Sequence, residues 1–123
     1  MRFGILATIA AALAAPALAE PGSEIGYPKG ALGYDALVAG DYATAEAQLR
    51  KSRGAAKDDP ARLINLGQVL ARTGRTEQAA RLFERARMAE EMEIILADGR
   101  RMNSADAATI ALRSLRTAHS GGY

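Results

Sequence analysis

The chain of 123 residues contains no cysteine, no tryptophan and a single histidine, His119. Without cysteine it can form no disulfide, thiolate nucleophile, iron–sulfur cluster or cysteine-based zinc site, and no lipid anchor on an N-terminal cysteine. His119 lies in the tail Thr117-Ala118-His119-Ser120 with no second imidazole to share a metal ion, so it reads as a solvated residue and no metal site is expected. Aromatic residues are scarce, at 5%, and alanine and leucine carry the apolar share. That balance suits close-packed helices better than strands, which favour β-branched and aromatic side chains. An excess of one charge is also lacking. Sixteen Lys and Arg against fourteen Asp and Glu give +2, and loss of Arg2 leaves +1, so net charge implies no acidic partner.

What is present begins with an apolar run too short to cross a membrane. Met1-Arg2 precedes apolar residues 3–15, then Pro16 and the small-residue site Ala17-Leu18-Ala19. This is the order of an export signal: a positive start, an apolar stretch and an A-x-A cleavage site. Pro16 interrupts the run, which falls short of the ~20 apolar residues of a spanning helix. Residues 1–19 are therefore expected to be removed before Glu20, with no integral membrane span left behind. Residues 20–25, opening Glu20-Pro21-Gly22-Ser23, have no periodicity and read as a mobile leader. The protein is expected to be periplasmic in a Gram-negative bacterium and secreted in another host.

Two stretches then superimpose at one offset. Leu32-Gly33 matches Leu66-Gly67, Gly40 matches Gly74, Ala45 matches Ala79 and Leu49 matches Phe83, each thirty-four residues apart. The residue types suit a helix–turn–helix. Gly33 and Gly67 are expected inside the first helix of each unit, where a missing side chain admits the second helix despite a helix-propensity cost of ~1 kcal/mol. Gly40 and Gly74 are placed to end those helices in the left-handed conformation. Asp41 and Thr76 read as caps of the second helices, and Asp59-Pro60 as a cap followed by proline at the first helical position.

Leu-Gly, glycine seven residues on, alanine five later and a bulky apolar residue four later resembles the tetratricopeptide repeat. The unit at 60–93 fits through Leu63, Leu66-Gly67, Leu70, Gly74, Ala79, Phe83 and Ala86, whereas the unit at 26–59 departs from it with Lys29, Ala36 and Ser52. The resemblance implies an all-α fold of two helical-hairpin repeats, a protein or peptide partner and no cofactor. It also places a partner groove along the first helices, at Tyr34, Leu37 and Val38 in the first unit and Ile64, Gln68 and Arg72 in the second.

A third copy does not follow, because Arg101 and Arg113 stand where glycine and alanine would recur. Residues 94–117 read as a closing segment and helix, and 118–123 as a flexible tail. Met92 to Ala97, then Asp98-Gly99 and Arg100-Arg101-Met102, can form a short β-hairpin with a type I′ turn. Alternatively the second repeat's helix runs on to Ala97. Glu90, Glu91 and Glu93 near a helix C-terminus weigh against that extension. Ser104 is expected to cap a last helix with Ala108, Ala111, Leu112 and Leu115 along its apolar stripe.

Candidate catalytic groupings have structural readings. Asp58-Asp59 sits before Pro60, where capping accounts for it, and the glycines lie outside any phosphate-binding loop context. Arg50, Lys51, Arg53, Lys57, Arg72, Arg75, Arg81, Arg85 and Arg87 are numerous, but Glu77 four before Arg81 and Arg87 four before Glu91 have the spacing of surface ion pairs. No nucleic-acid partner is expected. The reading is a non-catalytic interaction module, adaptor or scaffold. The alternative is a structural subunit that self-associates into a homo-oligomer or larger envelope assembly through the open end of the repeats or through Ile94-Ile95-Leu96.

Overall fold

A computed structural model describes residues 15–16, 30–51, 57–96 and 98–120. Apart from 15–16, the export-signal segment lies outside the described residues, as do the leader at 20–25 and the last three residues of the tail. The elements in order are β1 (Ala15–Pro16), α1 (Tyr34–Ala39), α2 (Tyr42–Lys51), α3 (Pro60–Arg72), α4 (Thr76–Met88), β2 (Glu93–Ile95), β3 (Arg101–Asn103) and α5 (Ser104–Ser120). The helices form two antiparallel hairpins, α1–α2 and α3–α4, with α5 packed chiefly on α4.

Local chemistry sets most of the helix boundaries. The Asp59 carboxylate accepts from the backbone N–H of Ala61 at 2.9 Å and of Arg62 at 3.2 Å, and Pro60 follows as the first helical residue. Gly40 (φ 79°) and Gly74 (φ 82°) take the left-handed conformation after α1 and α3. Just beyond them Asp41 N–H donates to the Ala36 carbonyl and Arg75 N–H to the Leu70 carbonyl, both at 2.8 Å. These bonds satisfy carbonyls that the helix end leaves open, and they occupy matching places in the two units. Asp41 caps α2 through the Thr44 N–H. Thr76 does not cap α4; it is the first helical residue, and Arg75 before it makes no side-chain cap bond.

Gly67 lies inside α3, and a Cβ there would stand 2.4 Å from Cε1 of Phe83 on α4. Gly33 also makes a close contact: a Cβ would lie 3.1 Å from the Leu49 side chain and from the Ala45 carbonyl. Its expected place within a helix is corrected, because Gly33 has φ 61° and precedes α1, which spans only six residues. Gly30, with φ 84°, accepts from the Gly33 N–H in a turn. Two glycines within four residues, each costing ~1 kcal/mol in a helix, favour that turn. Buried Asn65 secures the segment, its side-chain amide donating to the Leu32 carbonyl at 3.0 Å.

After α4 the chain forms the hairpin and not the longer helix. β2 pairs antiparallel with β3 in the register Glu93↔Asn103, Ile94↔Met102 and Ile95↔Arg101. The turn differs from the expected two-residue type I′. Leu96 N–H donates to the Arg100 carbonyl and Gly99 N–H to the Leu96 carbonyl, with Gly99 at φ 89°. That is a three-residue loop with glycine in the left-handed position. On the other side of β2, β1 pairs antiparallel as Ala15↔Ile95 and Pro16↔Ile94. Proline has no N–H to give a ladder and is tolerated on an outermost strand.

The cap of α5 is Asn103, whose side-chain oxygen accepts from the Ala105 N–H at 2.7 Å. Ser104, expected in that role, is fully buried instead. Its hydroxyl accepts from the Met92 N–H at 3.0 Å while its own N–H donates to the Met92 carbonyl at 2.8 Å. The pair ties the base of the hairpin to the start of α5. Ala107, Ala108, Ala111 and Leu112 are buried, and the helix continues to Ser120, beyond the expected end at 117. One core cluster joins Leu49, Leu66, Leu70, Phe83 and Leu112; a second joins Leu32, Ile64, Ala86, Ile94 and Ala108. Repeats and closing segment thus share their cores.

Gly67→Ala sets a helix-propensity gain of ~1 kcal/mol against overpacking of about 1–3 kcal/mol. Phe83 is 1% exposed and has no free space to swing into, so overpacking dominates and the urea midpoint should fall. The same change made in a Phe83→Leu background should cost less. Equal cost in both backgrounds would break the proposed contact. Ser104→Ala should destabilise by about 1–3 kcal/mol, because the Met92 N–H loses its acceptor.

Candidate binding surfaces

The six expected groove residues do not share one open surface. Tyr34, Leu37, Ile64 and Gln68 are buried, Arg72 is partly buried, and Val38 is 61% exposed. Arg72 and Val38 are the members that reach solvent. Arg72, at the end of α3, donates from Nη1 to the Tyr42 hydroxyl at 3.2 Å, and its Cζ lies 5.8 Å from the Tyr42 ring centroid. That distance is within the ~6 Å of a cation–π contact. Its Nε is buried with no hydrogen-bond partner. Tyr42 was not among the expected site residues, since as the first residue of α2 it carried no motif. Ile94, Ile95 and Leu96, the expected apolar edge for self-association, are all buried.

Glu46 links the two units. Its carboxylate receives both Nη atoms of Arg75, at 2.6 and 2.9 Å, and the Nε of Arg50 at 2.8 Å. Hydrogen bonds from Arg75, then Arg50, hold its pKa down to about 2 from 4.5. A carboxylate on α2 therefore reaches across to the start of α4.

Other surface pairs depart from the spacing argument. Arg87 pairs with Glu84 at 2.7 Å, and the Arg81 side chain forms no ion pair or hydrogen bond among the described residues. Arg85 instead reaches across to Asp58 at 2.6 Å. Between α2, α3 and α4 these cations surround a pocket of about 380 Å³. Arg50, Lys57, Arg62, Arg81 and Arg85 line it, with Leu66, Leu70 and Leu82 as its apolar part. A second recess of about 480 Å³ lies between β3 and α5, lined by Met102, Asp106, Ile110 and Arg113 among others. Among the described residues no group of three or more His, Cys, Asp or Glu could hold a metal ion, and no helix is long and apolar enough to cross a membrane.

The constant offset thus has a structural counterpart. Gly33 faces Leu49 as Gly67 faces Phe83, and the two post-glycine turns carry the same hydrogen bond. A family model described as tetratricopeptide repeat matches residues 36–97, just over half of the chain. The chain belongs to the tetratricopeptide repeat family. Neither a curated protein nor a solved structure matches it. The repeat match begins within α1 and covers the second hairpin fully, in keeping with the shortened first helix of the first repeat. Family membership points to a protein–protein interaction module, as the residues that define the repeat do packing work.

The Glu46 bridge gives a pH signature. Its folded-state pKa is depressed, so its contribution is present above 4.5 and is lost as pH falls toward about 2. Glu46→Gln should cost under about 1 kcal/mol at neutral pH, since solvent screens this pair. The gap between wild-type and variant urea midpoints should close across that acid window. A gap unchanged at pH 2 would remove the bridge from the stability account.

Proposed function

We propose that this tetratricopeptide repeat protein is an exported, non-catalytic module that holds a peptide or protein surface. The observation that carries the reading is the pair of stacked helical hairpins, whose repeat positions are occupied by packing residues. Gly67 and Phe83 make helix contact, Gly40 and Gly74 end helices, and Asp59 caps one. On the expected groove side, Val38 and Arg72 are the residues available to touch a partner, with Tyr34, Leu37, Ile64 and Gln68 packed beneath.

Export rests on the ordered signal at residues 1–19. Cleavage before Glu20 removes β1 together with the signal, so the mature protein keeps the β2–β3 hairpin and loses the strand that borders β2. In a Gram-negative host the mature protein is periplasmic. Self-association through Ile94-Ile95-Leu96 has less support, because the side chains of Ile94 and Leu96 pack into a core cluster.

The test is recovery of the protein from the exported fraction under native conditions, with intact-mass measurement and identification of what accompanies it. A chain beginning at Glu20, bound to a protein that is released chemically unaltered, is the expected result. A full-length chain retained in the cytoplasm contradicts export, and a chain recovered alone contradicts the module.

A further inference from the structure

The charge of the molecule is unevenly placed. Five cations from three successive parts of the chain converge on the pocket between α2, α3 and α4: Arg50, Lys57, Arg62, Arg81 and Arg85. Among the described residues no carboxylate lines it. Three carboxylates act on its cations from the rim: Glu46 and Asp58, which are shared or exposed, and Asp59, which attracts Arg62 while its side chain caps α3. Glu46 is divided between Arg50 and Arg75, and Asp58 meets Arg85 in a pair with side chains 70% and 43% exposed. The Arg62 guanidinium donates from Nε to the Leu49 carbonyl and from Nη1 to the Lys57 carbonyl, groups that fix its position and carry no net charge. Arg81 and the Lys57 ammonium form no ion pair among the described residues.

Like charges held together in this way store unfavourable potential that an anion relieves. Arg62 reports that potential. Burial lowers its affinity for the proton, repulsion from Arg85 and Arg50 lowers it further, and attraction by Asp59 and Asp58 offsets this only in part. Half-buried Leu82, above the core residues Leu66 and Leu70, gives the pocket an apolar part, and its volume falls within the ~300–1,000 Å³ of ligand-binding pockets. A phosphate ion would use the cations and leave Leu82 idle. A nucleic acid or lipid surface needs an extended positive face, whereas this one is concave and local.

We propose that this pocket binds an acidic peptide segment of a partner protein, its carboxylates meeting Arg81, Arg62 and Lys57 and an apolar side chain resting on Leu82. The proposal rests on the interaction-module reading and adds the place and the chemistry, on residues distinct from the six groove positions. Arg81 supplies the most available charge: it is exposed, and among the described residues its side chain has no partner to abandon. Affinity should fall with added salt, as it does for partly exposed charge pairs.

Fluorescence anisotropy with two labelled peptides tests it, one of Asp, Glu and Leu and one with Asn and Gln at the acidic positions. The acidic peptide should bind more tightly by about tenfold or more, the scale of a charge-assisted hydrogen bond. Arg81→Glu should erase that preference, while Arg113→Glu on the exposed side of α5 should not. Thermal melts of both variants should match the parent. Equal binding of the two peptides, or equal weakening by both substitutions, overturns the proposal. So does tighter Arg81-dependent binding of phosphatidylglycerol vesicles or of an oligonucleotide. Natively captured partner that Arg81→Glu leaves bound overturns the pocket while sparing the module; absence of any captured partner strikes the module itself.

Discussion

Phe83 packs into space that a side chain at residue 67 would occupy, and the approach of α3 to α4 depends on that vacancy. The same relation, Leu49 against Gly33, recurs thirty-four residues earlier in the first hairpin. Close approach of the helices brings Ala79, Leu66 and Leu70 into one core cluster and Ala86 and Leu63 into the other, where burying each large apolar side chain contributes roughly 1.5–3 kcal/mol. The glycine turns and the Asp59 cap then set the lengths of helix that can reach this contact. Geometry at one missing side chain governs the spacing of everything built on it.

Two repeats alone leave apolar surface at each end of the stack, and short arrays need a capped end. The chain meets that need at its C-terminal side with an element outside the repeat pattern. α5 lays small side chains, Ala107, Ala108 and Ala111, against α4, and the hairpin inserts Ile94 and Leu96 beside Ile64 and Leu32. The Ser104–Met92 hydrogen bonds join the two parts of the closure. A polar residue buried at that junction has both its hydroxyl and its backbone N–H engaged with one neighbour, which fixes where the hairpin ends and the helix starts.

Features determined within a few residues were legible in the sequence. The glycine helix ends at 40 and 74, the Asp59-Pro60 start and the existence of the hairpin all follow from local conformational preference. Features determined by convergence were less so. Gly33 was expected inside a helix because its repeat partner Gly67 is, yet Gly30 nearby tips the local balance toward a turn. Ser104 had the chemistry of a cap, but Asn103 took the role once Ser104 was drawn into the core by Met92. The loop at Gly99 is one residue longer than the Asp-Gly pair suggests, because Leu96 pairs with Arg100. The groove positions carried over from the family are mostly buried, since this chain's short first helix and closing elements pack against them. Net charge was the least informative guide. A sum over the chain hides where charges meet, and the spacing of Glu77 and Arg81 does not oblige them to pair.

The central structural claim is that repeats and closing segment form one cooperative unit. Native-state hydrogen exchange tests it most directly. The amides of Leu96 and Ser104 and those in the middle of α5 should exchange with the same opening free energy as Leu66 and Leu70 in α3, and shift together with denaturant. Exchange of α5 and the hairpin through a separate, much cheaper opening, with α3 and α4 still protected, would contradict it.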